Sequence, residues 1–267
     1  PPRSTLFPYT TLFRSIGNSY KECKDLLDSD KTVLFSGTPC QIGGLKAFLR
    51  KDYHNLITID FICHGVPSPL LWKKYISFKS ADNQRITKIT FRDKSSGWEN
   101  YSFTVNYADG NVYKQIFRNN EYMQLFLKDV SLRPSCYNCN FKGISRHSDI
   151  TLGDFWGIHQ ELPSFNDNHG TSFIIVHTDK GKEIIAKLGN CMIQEISIEQ
   201  GAKHNPSLTK SANCPASRSA FFADLRTKNF NIKKLAAKYA ADSFSVRLKK
   251  ALNCALRKLS KLLRKKK

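Results

Sequence analysis

The chain has 267 residues, a formal net charge of +20, 40% hydrophobic residues and eight cysteines. That length buries a sizeable core, as one large domain or two small ones, without disulfide staples. With no secretory leader and no apolar run of about 18 residues, the cysteines point to metal or redox chemistry rather than a disulfide scaffold, and a membrane-spanning helix is excluded in these residues. Most of the excess charge sits at one end, since residues 225–267 carry fifteen Lys or Arg against one Asp; elsewhere the chain is only mildly basic, so a nucleic-acid partner is not implied.

In chain order, residues 5–15 read TLFPYTTLFRS, an in-frame translation of a common sequencing-adapter oligonucleotide. Residues 1–15 are therefore expected to be non-native, with the native chain beginning, already cut short, near Ile16. A main domain is expected over 16–205 and a basic helical tail over 206–267. Thr32-Val33-Leu34-Phe35 is a short β-rich run that ends in Ser36-Gly37-Thr38-Pro39-Cys40, and residues 41–50 follow as a helix with Ile42, Leu45, Phe48 and Leu49 on its apolar side. Residues 56–63 form a second strand, His64-Gly65-Val66-Pro67 breaks it, and residues 70–79 form a helix. The spacing predicts a βαβ unit with parallel strands. Residues 86–91, 101–107 and 112–117 read as strands of an antiparallel insertion, with Asp109-Gly110 as a hairpin turn. Helix is expected over 121–129, a loop-rich site region over 136–157, a strand over 172–177 and a helix over 180–188. The fold class is thus α/β: a partly parallel sheet with βαβ units, an antiparallel β insertion and a C-terminal basic helix.

Cys40 and Cys63 each follow a strand of the predicted parallel pair, so both fall at the carboxyl edge of the sheet, where ligands gather near helix N-termini. Each neighbours Pro or Gly, which lets backbone approach a bulky inorganic group. Cys136 and Cys139 form Cys-Tyr-Asn-Cys, a chelating pair. Together the four supply the thiolates of a 4Fe-4S cluster. A CxxC pair alone is equally a zinc half-site or a redox pair, and a lone Cys40 is equally a packing thiol. Cys23, Cys191, Cys214 and Cys254 show no pairing spacing.

Val33 to Ile42, Cys63-His64-Gly65-Val66-Pro67-Ser68, Arg133-Pro134-Ser135-Cys136-Tyr137-Asn138-Cys139 and Ser148-Asp149-Ile150-Thr151-Leu152-Gly153-Asp154-Phe155-Trp156-Gly157 resemble, in that order, the C-terminal domain of the coenzyme F(420) hydrogenase/dehydrogenase beta-subunit family. The resemblance spans about residues 31–188. It implies FAD, a 4Fe-4S cluster beside it on Cys40, Cys63, Cys136 and Cys139, and electron transfer between an iron-sulfur partner or fused ferredoxin-like domain and a two-electron carrier or small-molecule substrate. Gly37, Thr38, Gln41, His64, Asp154 and Trp156 are the residues placed near the flavin. His147 and Asp149 are further neighbours of the site, and for Asp149, Asp154 and Trp156 turn capping and packing are equally good readings. A Ser-Gly-Gly motif and a Ser-Lys-Tyr segment that help hold the flavin in the family are expected upstream of residue 16. No side-chain acid or base is required by such a scheme. A reading from another class is a zinc-stabilised, non-catalytic binding module of a polysaccharide-related or membrane-associated assembly.

Phe244, Leu248, Leu252, Leu256, Leu259 and Leu263 recur at three- and four-residue steps among Lys and Arg, the pattern of an amphipathic basic helix. It suits an anionic membrane surface, with each cation adding on the order of 1 kcal/mol, or docking on its own domain or a partner. Nucleic acid fits less well, for the tail has few stacking aromatics. The expected location is cytoplasmic, peripheral at the inner membrane face.

Overall fold

In the computed structural model residues 16–80, 84–167 and 169–241 are described; the predicted tail helix lies outside them. The elements run α1 (Ser19–Asp28), β1 (Val33–Ser36), α2 (Pro39–Leu49), β2 (Leu56–Phe61), α3 (Pro69–Lys79), β3 (Ile86–Asp93), β4 (Ser102–Tyr107), β5 (Val112–Ile116), α4 (Glu121–Leu127), β6 (Ile150–Asp154), α5 (Ile158–Glu161), β7 (Ser172–Val176), α6 (Asp179–Ala186), α7 (Ile198–Ala202), α8 (Arg218–Arg226) and α9 (Ile232–Tyr239).

Two sheets organise them. One has the order β1-β2-β6-β7, parallel from β1 through β6 and antiparallel between β6 and β7. The other is the antiparallel meander β3-β4-β5, turned at Gly110 with φ +86°. The α/β class and the insertion are as the sequence predicts. One strand is a correction. Ile150–Asp154 lies inside the stretch expected to be loop, yet as β6 it sits in the interior of the sheet between β2 and β7. Its run is short and interrupted by Gly153, so only its pairing partners, not its own periodicity, identify it.

Helix starts follow local chemistry. Thr38 caps α2 with Pro39 at the first helical position, and Gln41 Oε1 accepts the Thr38 N–H at 2.8 Å, the reciprocal cap that satisfies orphan amides. The helix therefore begins two residues earlier than its apolar pattern suggests, and Cys40 lies in its first turn. Ser68 caps α3 by accepting from the Leu70 N–H at 3.2 Å. Asn120 caps α4 through Met123 N–H and donates its amide to Tyr75 Oη at 2.7 Å.

The largest core joins the antiparallel sheet to α3, α4, α8 and α9 through Trp72, Tyr75, Phe103, Tyr122, Phe221 and Ile232. A second gathers Trp98, Phe155, Ile158, Phe173, Ile175 and Leu208 at the β6–β7 end. A third packs α1 and α2 on Leu56, and Cys23 is buried in it as a packing thiol. In the four-stranded sheet, register puts Leu34, Ile57, Ile59, Phe61, Leu152 and Ile174 on one face. Leu34, Phe61 and Leu152 stay 59%, 45% and 37% exposed there, whereas the opposite face holds buried Thr58, Asp60 and Thr151.

Candidate metal and cofactor site

The carboxyl ends of β1, β2 and β6 point to one edge, and the four predicted thiols come together there. Cys40, Cys63, Cys136 and Cys139 line a single recess with His64, Gly65, Val66, Phe141, Lys142 and Arg146, enclosing about 360 Å³ of empty volume, open solvent included. Cys40 stands in the first turn of α2, with Thr38 Oγ1 3.1 Å from its sulfur. Cys63 follows β2, and Cys136 closes a 3-10 turn over Pro134–Cys136.

Two contacts bring the CxxC loop to the sheet. The strand-like bridge between Pro67 and Leu132, with Arg133 N–H donating to Val66 O at 2.8 Å and Ser68 N–H to Ser131 O at 2.7 Å, ties the loop after Cys63 to the segment before Cys136. Glycine permits the closeness. A Cβ on Gly65 would stand 2.9 Å from Leu132 Cδ1, and one on Gly43 would stand 2.4 Å from the Phe141 ring, two residues beyond Cys139. Val66 N–H donates to Cys136 Sγ at 3.4 Å, and Cys139 N–H donates to Ser211 Oγ at 3.0 Å.

Electrostatics of the recess are set by burial against nearby cations. Burial pushes the Cys63 thiol up to about 11, partly opposed by Lys142, while the neighbouring thiols push it further up. Burial also raises Cys136, against the Val66 amide. Lys142 is lowered by burial and held up by the thiols of Cys63, Cys139 and Cys136. Its Nζ donates to Cys63 O and, at 2.7 Å, to Ser207 O. Arg146 donates to the carbonyls of Gly143, Phe141 and Leu208 at 2.9, 2.7 and 3.1 Å. Both side chains thus fix loops around the thiols while placing positive charge in the wall. Neither is legible in the sequence beyond Lys142 lying three residues after Cys139, because basic residues in a basic chain are ordinarily solvated.

Among the described residues no three His, Cys, Asp or Glu side chains approach closely enough for one metal ion. The four thiols ring the recess instead of meeting at a point. Such an arrangement matches a polynuclear cluster, each iron taking one thiolate, better than a single tetrahedral ion.

The remaining predicted residues divide. Gly37, Thr38 and Gln41 form the β1–α2 turn at the rim, with Gln41 engaged in the cap. His64 lines the recess, its Nε2 2.7 Å from Asp129 Oδ1 and its ring edge-on to Phe126. Asp154 and Trp156 lie at the end of β6, outside the recess lining: Asp154 pairs with Arg92 at 2.5 Å, and Trp156 packs on Trp98 with ring centres 5.0 Å apart. His147 meets the Phe141 ring edge-on. Asp149 is buried, holding Thr58 and Thr178.

No curated protein matches the chain. The family profile that describes the carboxy-terminal part of the coenzyme F(420) hydrogenase/dehydrogenase beta subunit matches residues 30–200, an interval that contains every thiol of the recess. The chain belongs to this family of oxidoreductase subunits.

Proposed function

We propose that this chain is a flavin- and iron-sulfur-dependent electron-transfer subunit. In this reading Cys40, Cys63, Cys136 and Cys139 hold a 4Fe-4S cluster, FAD lies beside it, and electrons pass between an iron-sulfur partner and a two-electron carrier or small substrate. The observation that carries it is the single recess ringed by four thiols and walled by two cations, Lys142 and Arg146. Four thiolates around a cluster leave net negative charge, and a buried lysine bonded to the carbonyl of Cys63 suits such a guest.

When bound, the two groups supply hydride exchange at the flavin and single-electron exchange at the cluster. The chain's own residues hold and tune. Val66 N–H donates to Cys136 sulfur, Lys142 and Arg146 offset thiolate charge, and the amino end of α2 turns its dipole toward Cys40. Gly37, Thr38, Gln41 and His64 are the residues that would face FAD. Asp154 and Trp156, already engaged with Arg92 and Trp98, would shape the wall behind it.

The test is anaerobic reconstitution of the chain with iron and sulfide, followed by iron and sulfide analysis and electron spin resonance of the reduced protein. The expected result is about four iron per chain, falling sharply in Cys136→Ser and unchanged in Cys191→Ser, whose thiol is exposed away from the recess. A colourless protein that takes up one zinc, or iron content indifferent to Cys136→Ser, overturns the proposal.

A further inference from the structure

Beside the recess lies a buried acid that the electron-transfer scheme does not use. Asp60, on β2 three residues before Cys63, is only 1% exposed. Thr151 Oγ1 donates to its Oδ1 at 2.5 Å, and the same hydroxyl lies 2.8 Å from His177 Nε2. A hydroxyl that donates its one proton to Asp60 must accept from His177, so Nε2 carries the imidazole proton. The three groups thus form a chain of donors pointed inward, from half-buried His177 through Thr151 to Asp60. At its inner end, among the described residues, Asp60 Oδ2 and the buried Ser148 Oγ complete no hydrogen bond.

The charges facing Asp60 come from three sides. Thr151 reaches it from β6, Ser148 and Arg146 from the loop before β6, and His177 from the end of β7, with Asp149 beyond His177. Helix α2, packed over β2, contributes apolar Ile42, Leu45 and Leu49 as its buried side chains with Pro39. Arg146 also lines the thiol recess, so charge gained there is felt at Asp60.

We propose that Asp60 is a redox-linked proton acceptor for the thiol-ringed site, supplied from solvent through His177 and Thr151. The inference rests on the electron-transfer reading above. An electron delivered by the reduced iron-sulfur partner makes the recess more negative, which raises the proton affinity of a nearby carboxylate. One proton then enters for one electron. Water protonates His177 at Nδ1, His177 releases the Nε2 proton to Thr151, the Thr151 O–H bond breaks toward Oδ1, and Asp60 ends as the neutral acid. Burial already shifts Asp60 upward from the ordinary carboxylate range against the pull of Thr151, Arg146 and Ser148.

Two measurements test this and separate it from the cluster reading. On the metal-free chain, infrared difference spectra across pH are expected to show the C=O band of a protonated carboxyl group persisting above the ordinary aspartate range, about 3.9, and absent in Asp60→Asn. Thr151→Val keeps the acid but removes its donor, so the band should shift in frequency; this variant decides the matter if Asp60→Asn does not fold. No band lost in Asp60→Asn, or no shift in Thr151→Val, overturns the proposal without touching the cluster. On the reconstituted protein, the midpoint potential is expected to fall as pH rises through the window set by Asp60, by a tenfold change in the reduction equilibrium per pH unit, about 59 mV for one electron. Asp60→Asn should flatten it. Equal slopes in both proteins overturn the proposal, while failure to load iron defeats the cluster reading and leaves the infrared result to stand alone.

Discussion

Gly43 is the position where local propensity and tertiary packing make opposite demands. It lies inside α2, where replacing glycine by alanine should stabilise the helix by about 0.8–1 kcal/mol. The added Cβ, however, would stand 2.4 Å from Phe141 Cε1 and 3.3 Å from Cδ1 and Cζ. The ring or the helix must move, and overpacking of this kind costs about 1–3 kcal/mol. The packing term is the larger, so Gly43→Ala should be destabilising by up to about 2 kcal/mol, lowering the melting temperature by roughly 2–4 °C per kcal/mol for a domain of this size. Because Cys40 rides on α2 and Phe141 follows Cys139, the displacement should also widen the recess and reduce iron loading more than stability. Urea unfolding of the metal-free protein and iron analysis after reconstitution measure the two effects. A double-mutant cycle with Phe141→Ala isolates the clash, since alanine at 141 restores the space and Gly43→Ala should then be stabilising. If Gly43→Ala alone raises stability by the full helix increment and binds iron normally, the approach of α2 to the CxxC loop is wrong.

Asp149 gives a pH dependence. Burial pushes its carboxyl up, but donors from Thr178 and from the amide and hydroxyl of Thr58, with Lys180 nearby, together hold it below the ordinary value. A lowered folded-state value means stability that is present above about pH 4 and lost as pH falls through the folded value; Asp149→Asn should therefore flatten the acid limb of urea midpoints measured from pH 5 to pH 2, and an unchanged limb would remove Asp149 as its source. The two sides of α2 and the sheet should also respond differently to truncation. Ile42 is fully buried and Ile42→Ala should cost about 2–5 kcal/mol, whereas Phe61, 45% exposed on the open sheet face, should tolerate Phe61→Ser within about 1 kcal/mol; comparable losses from the two would mean that the face is covered.

Legibility differs from element to element. The turn Ser36-Gly37-Thr38-Pro39 and the apolar spacing of α2 are local signals, because a cap, a proline and a period of 3.6 act within a few residues. The same holds for the Asp109-Gly110 hairpin. Strand β6 was not legible, for Ile150–Asp154 carries too little pattern of its own and becomes a strand because β2 and β7 hydrogen-bond to it on either side.

By itself the sequence determined the α/β class, the parallel pairing of β1 and β2, and the placement of Cys40 and Cys63 at one edge, since strand ends in a βαβ unit share a direction whatever surrounds them. Only the tertiary structure decided that Cys136 and Cys139 join them, because that needs the Pro67–Leu132 bridge and the fit of Phe141 against Gly43, contacts between segments far apart in the chain. The charges that wall the recess and the relay of His177, Thr151 and Asp60 were decided there too. Burial converts Lys142, Arg146 and Asp60 from ordinary charged residues into groups whose every neighbour matters, and burial is a property of the packed molecule, not of any one stretch of sequence.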